Sequence, residues 1–216
     1  MADLIAIAVS VLALAVSATT AWLTLLRRGT VKMTQPTVIY FGPDAPRYQE
    51  KHALSKIYLR TLLFSTCKRG HVIESMHASL TRNESRQNFN IWVYGDDKLV
   101  RGSGIFVGET GVASNHHFLA PDDGNSFQYL SGRYQLSVYA RMLGEARPTL
   151  LFSQELDVTS EAAEALKEPG NGLYFDWGPD SSRYLQHVEK RPPSPDPGMF
   201  LEALALVGRT ESGAAE

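Results

Sequence analysis

The sequence predicts an all-β sandwich carried behind a single N-terminal transmembrane helix, and three observations predict it. Leu4 to Leu26 contains no charged residue and is closed by Arg27 and Arg28. Between Val31 and Trp177, short runs rich in β-branched and aromatic residues alternate with polar, glycine-containing turns. After the anchor, helical character is confined to one stretch, Ser160 to Lys167.

The apolar run comes first in the chain. At the rise of an α-helix it reaches roughly 34 Å, enough for a hydrocarbon core about 30 Å thick. A cleaved secretory signal needs a basic leading segment and a shorter apolar core; Met1, Ala2 and Asp3 bring no Lys or Arg, so an uncut anchor over residues 1–28 is expected. Arg27, Arg28 and Lys32 follow the span, and the positive-inside rule places the following domain on the cytoplasmic side of an inner or plasma membrane, with an exported domain as the alternative. Ala6, Ser10, Ala13, Ser17, Thr20 and Thr24 recur at alternating spacings of four and three, forming one stripe of small and hydroxyl side chains suited to close helix packing. The expected use is self-association or pairing with another membrane protein.

Composition bounds the rest. Lys plus Arg number 21 against 23 Asp plus Glu, so the charge of -2 gives no footprint for nucleic acid. Hydrophobic residues at 44% support a real core, and residues 29–190 are the length of one domain. Cys67 is the lone cysteine, which excludes an internal disulfide and agrees with a reducing compartment.

The strands are read in order. Val31 to Phe41 passes from linker into a first strand, with Pro36 at an entry or edge position. Lys56 to Thr66, Val72 to Leu80 and Asn88 to Tyr94 follow. Leu99 to Val107 and Val112 to Leu119 form an expected hairpin across Gly108 to Gly111. From Arg133 to Met142 the alternation is clearest, with Tyr134, Leu136, Val138, Ala140 and Met142 on one face. Thr149 to Val158 is a strand, and Thr159 or Ser160 caps a short helix over 160–168 that Pro169 and Gly170 stop. Leu173, Phe175 and Trp177 are expected to face inward from a last strand or strap. Arg191 to Gly198 is a Pro-rich linker, Met199 to Val207 a short apolar segment and Gly208 to Glu216 a disordered tail.

Leu130 to Ala140, with Gly132 ahead of Tyr134, resembles the tyrosine-corner stretch of immunoglobulin-like domains. The resemblance implies an Ig-like β-sandwich in which the Tyr134 hydroxyl returns to the upstream backbone. Leu136 stands where antibody domains carry a cysteine, so the kinship is with the wider sandwich class and is silent on function.

Candidate chemistry is sparse. Gly102 to Val107, Gly111 and Ser114 to Phe118 resemble the approach to the catalytic histidine of bacterial trypsin-like serine proteases, which would make His117 a general base. No Gly-Ser-Gly-Gly turn follows to supply nucleophile and oxyanion donors. Gly102-Ser103-Gly104 lacks the following helix that a phosphate loop needs. His116, His117, Asp122 and Asp123 are potential metal donors, but adjacent strand residues face opposite ways. Cys67 beside Lys68 and Arg69 is a thiol open to activation, and His71 flanks the same turn. Tyr174 and Trp177 lie in the densest aromatic run, Leu173 to Trp177, which offers stacking area for a sugar or peptide.

These readings converge on a single-pass, membrane-anchored interaction or scaffold module without catalysis, cofactor or metal of its own. Its binding candidates are Trp177, Tyr174, His116 and His117, and Tyr134 is structural. The alternatives are a hydrolase or metal-dependent enzyme using His117 with His116 and Asp122, and an exported carbohydrate- or peptide-binding domain.

Overall fold

The computed structural model describes residues 1–26, 29–44, 53–94, 99–102, 104–123 and 127–190. Helix α1 (Ala2–Ala21) continues through a wider turn over Trp22–Leu26, and it is long and apolar enough to cross a membrane. No residue of α1 is buried in the protein.

Twelve strands follow among the described residues. They are β1 (Val31–Met33), β2 (Val38–Pro43), β3 (Ser55–Ser65), β4 (His71–Arg82), β5 (Ser85–Tyr94) and β6 (Leu99–Arg101), then β7 (Ile105–Val107), β8 (Val112–Leu119), β9 (Gly132–Met142), β10 (Thr149–Val158), β11 (Asn171–Gly178) and β12 (Arg183–Lys190). Helix α2 (Ser160–Ala165) sits between β10 and β11, capped by the Thr159 hydroxyl, which accepts from the Ala162 amide. All pairings are antiparallel in the order β10-β9-β4-β5-β8-β3-β2-β11-β12, with β1, β6 and β7 added to β3, β5 and β4. The sheet is barrel-like, and β1 approaches β10 to within 8 Å between Cα atoms. The expected Ig-like pair of separate sheets is not confirmed, because long strands such as β3 and β4 pass their pairing from one neighbour to the next and keep one continuous ladder.

Alternation builds the core. Tyr134, Leu136, Val138, Ala140 and Met142 are all buried on β9, opposite Leu80, Ala78 and Met76 of β4. Ile39, Phe41, Ile57, Leu59, Leu63, Phe118, Leu173 and Phe175 close the other side of the same core. Burying each such large side chain stabilises by roughly 1.5–3 kcal/mol. Strands run between two ends. The anchor end holds the β3–β4 turn, where Thr66 N–H donates to the Thr30 carbonyl at 3.0 Å, together with the β9–β10 turn. The distal end holds α2, the β4–β5 turn and the segment between β8 and β9.

Several local expectations are corrected. Leu99 to Val107 is two strands, divided at Gly104 with φ +97°, and they pair with different partners. The expected hairpin across Gly108–Gly111 is absent: Val107 pairs with His71 and Val112 with Leu63, because each short strand adds to a longer one with a deeper apolar face. Val31 to Phe41 is likewise divided, with buried Pro36 between β1 and β2. β12 has no counterpart in the sequence reading; only alternate residues Tyr184, Gln186 and Val188 are half-buried, so its apolar signal is faint. Residues 191–216, including Met199 to Val207, lie outside the described residues.

Candidate functional site

Reading the register across the outer face of the sheet gives one line of rings. His187 of β12 faces Tyr174 of β11, Tyr174 faces Tyr40 of β2, Tyr40 faces Tyr58 of β3, Tyr58 faces His117 of β8, and His117 faces Trp92 of β5. Residues directly opposite in adjacent antiparallel strands share a face, so six strands contribute one ring each to a row perpendicular to them. Ring centroids lie 5.3 Å apart for His187 and Tyr174, 5.0 Å for Tyr174 and Tyr40, and 5.0 Å for Tyr58 and His117. The His187 imidazole also meets Asp176 at 3.0 Å, and Tyr58 Oη reaches Asn115 Oδ1 at 3.2 Å.

Two glycines set the middle of the row. A Cβ on Gly172 or Gly42 would overlap the Tyr40 phenol, so their bare backbone lets that ring lie flat across β2 and β11. Tyr40 is consequently buried although it faces outward; His117, packed against Tyr58, is buried as well, while Tyr58, Trp92 and Tyr174 are half-buried and His187 is exposed.

The structure separates the sequence candidates. His117 and Tyr174 enter the row. His116 points the other way, fully buried, with Nε2 2.9 Å from Thr61 Oγ1 and no partner for Nδ1 among the described residues. Burial first, and the adjacent His117 second, push its pKa down to about 4, so it is neutral and sealed from water. Trp177 lies outside the row, on the face of β11 that Leu173 and Phe175 share, and is half-buried there. It packs edge-on against Tyr184, whose hydroxyl donates to the Pro36 carbonyl at 2.6 Å. No group of three His, Cys, Asp or Glu able to hold a metal occurs among the described residues, and Asp122 joins neither imidazole in one. Tyr134 Oη accepts from the Leu130 amide and donates to the Leu130 carbonyl, both at 2.9 Å.

At the anchor end, Ser65 Oγ lies 3.4 Å from Cys67 Sγ and 3.1 Å from His71 Nδ1. The Ser65 hydroxyl is the largest cause of a lowered Cys67 pKa; burial opposes it, and the backbone amides of Gly29, Gly70 and Arg69 assist. The cause is therefore hydrogen bonding, not the neighbouring Lys68 and Arg69 charges. Ser65 Oγ also lies 2.9 Å from the Cys67 carbonyl and accepts from the Cys67 amide at 3.2 Å, which locks the turn; its single proton serves the carbonyl, the thiol or His71 one at a time. In α1 and the wider turn that continues it, the stripe hydroxyls of Ser10, Thr20 and Thr24 bond the carbonyls four residues back, Ala6, Val16 and Thr20, at 2.7–2.9 Å.

Sequence reading missed Tyr40, Tyr58 and His187 as partners in one surface. A signal was present: Ile39-Tyr40-Phe41, Ile57-Tyr58-Leu59 and Leu173-Tyr174-Phe175 each set a ring between two inward apolar residues. No family model matches the chain, and neither a curated protein nor a solved structure matches it.

Proposed function

We propose that this chain is a single-pass membrane protein whose β domain is a non-catalytic recognition module for a protein partner, held on the cytoplasmic side. The observation that carries the reading is the outer aromatic row from His187 to Trp92. Tyrosine, tryptophan and histidine rings supply large contact area with few rotors to immobilise, together with hydrogen-bonding tips. Arg60, Asn115 and Asp176 beside the row supply polar contacts of the kind found around such anchors. The stripe from Ala6 to Thr24 is proposed as a packing face for a second span, self-association included. Its hydroxyls already bond within α1, so close approach of small side chains is the larger attraction there. The Ig-like kinship is retained as a proposal for the corner at Tyr134 alone, supported by its paired bonds to Leu130.

The test is site-specific photocrosslinking of the full chain in native membranes, with the reactive group in place of Tyr58, Tyr174 or, on exposed outer β10, Glu155. A discrete adduct shared by positions 58 and 174 and missing at 155 is expected. Equal labelling at all three positions, or none at 58 and 174, sinks the reading. Sidedness is checked separately with a reporter fused after Glu216, which is expected to be active only in the cytoplasm.

A further inference from the structure

We infer that the anchor end of the barrel is a membrane-docking face, which seats on the anionic surface of the bilayer that α1 crosses. The inference rests on the anchor reading above and adds a second, non-covalent contact with the same membrane. Three independent observations carry it.

The tether is short. From Leu26, the last helical residue, to Gly29 is three residues, at most about 11 Å of chain. Gly29 is packed on the β3–β4 turn, where a Cβ on it would meet Cys67 Cβ at 2.7 Å. That turn is thus held within about 11 Å of the helix end, and headgroup layers add only about 5–8 Å to each side of the hydrocarbon core. Even fully extended, this tether lets the anchor end stand only a few ångströms beyond the headgroup layer.

The apolar side chains lie where the tether puts the membrane. Outside α1, the two most exposed large hydrophobic residues among those described are Leu143 at 63% and Phe106 at 61%. They are neighbours: Phe106 pairs with Val72, itself 37% exposed, and the Leu143 amide donates to the Val72 carbonyl at 2.8 Å. Gly70, with φ +70°, makes the turn on which the Phe106 ring rests, and a Cβ there would meet Phe106 Cζ at 2.6 Å. Aromatic and aliphatic side chains presented together beside basic residues are what an interfacial contact uses.

Charge gives the sign of the surface. Lys32, Lys68, Arg69 and Arg147 are exposed around this patch, and the sequence adds Arg27 and Arg28, against Glu109 and Glu145 in the neighbouring turns. The distal end is more acidic, with Asp122, Asp123, Glu161 and Glu168 against Arg82 and Arg86 while Glu164 is paired with Lys167. Basic residues are attracted to an anionic leaflet within a Debye length, so the excess favours lipid carrying negative headgroups. Seated in this way, the strands rise from the membrane and the aromatic row runs across them. Tyr58 lies seven residues along β3 from Ser65, about 23 Å of strand, so the row faces sideways above the headgroups.

The experiment uses the full chain reconstituted into vesicles of phosphatidylcholine alone or mixed with phosphatidylglycerol. p-Benzoylphenylalanine replaces Trp22, Phe106, Leu143 or Glu164, one at a time, and lipid adducts are read by intact mass. Adducts are expected at 22, 106 and 143 and not at 164. Those at 106 and 143 should rise with phosphatidylglycerol and fall at least about threefold in the double variant Lys68→Glu, Arg69→Glu, with position 22 unchanged. Adducts at 22 without any at 106 or 143 overturn the docking face and leave the anchor intact. Loss at 22 as well removes the anchor itself, and the docking with it. Equal yields at 106 and 143 in both vesicle types overturn the electrostatic half.

Discussion

At the distal end, Lys56 Nζ reaches Asp44 Oδ1 at 2.7 Å with both side chains nearly buried, and Tyr129 Oη donates to the Lys56 carbonyl at 2.8 Å. Phe41 stacks on Tyr129 at 5.2 Å, and Tyr134 ties the Leu130 backbone. At the anchor end, Phe106, Leu143 and Val72 stand exposed among Lys68, Arg69 and Arg147. The contrast teaches that one end is closed by its own side chains, whereas the other carries apolar groups that contribute little to the fold. Groups that do little for stability are where a surface for something outside the protein is to be sought.

Four measurements break or sharpen this contrast, using denaturant unfolding of the full chain in detergent. The largest effect is expected from Lys56→Ala, which strips the buried Asp44 carboxylate of its ion pair and should cost about 3–5 kcal/mol. A loss below about 1 kcal/mol would show that the distal end is not held by its buried polar groups.

Acid probes the middle of the barrel. The unfolded chain takes up a proton on His116 near its ordinary value of 6.5, whereas the folded imidazole resists until about 4. Between those values the unfolded state binds more protons, so stability falls as pH drops from about 6.5 to about 4 and then levels, by up to about 3 kcal/mol from this residue. His116→Gln should flatten that window; an unchanged slope assigns it to other groups.

Tyr134→Phe comes next, at about 1–3 kcal/mol, because it strands the Leu130 amide and carbonyl together. A change within about 0.5 kcal/mol would mean that water replaces the hydroxyl. The smallest effect is expected at the anchor end, where Phe106→Ser should alter stability by less than about 1 kcal/mol. A larger loss would make that ring part of the core and erase the difference between the ends.

Much of the fold was legible where one residue pattern decides one face. The β9 alternation, the bounds of β10 and β8 and the Thr159 cap follow from local preferences that tertiary packing does not oppose. β12 was invisible because it covers an edge and buries only alternate residues in part. The Gly108–Gly111 turn misled because a glycine-containing turn between two strands suggests a hairpin, while β4 and β3 offered each strand a better partner. The sequence marks Tyr174 and His117 singly as binding candidates, whereas their place in one row depends on strand pairing.

By itself the sequence determined one N-terminal helix long and apolar enough to cross a membrane, since Leu4 to Leu26 carries no charge, and the strand content, since alternation sorts residues between core and surface. It also determined that Cys67 has no internal disulfide partner. Tertiary structure alone decided which strands are neighbours, and with that the single barrel-like sheet, the aromatic row and the crowding of Phe106, Val72 and Leu143 at one end. The physical reason is that periodicity fixes the face to which a side chain points, whereas pairing and register depend on contacts between residues far apart in sequence. Tyr40 and Tyr174 face one another from positions that no local preference relates.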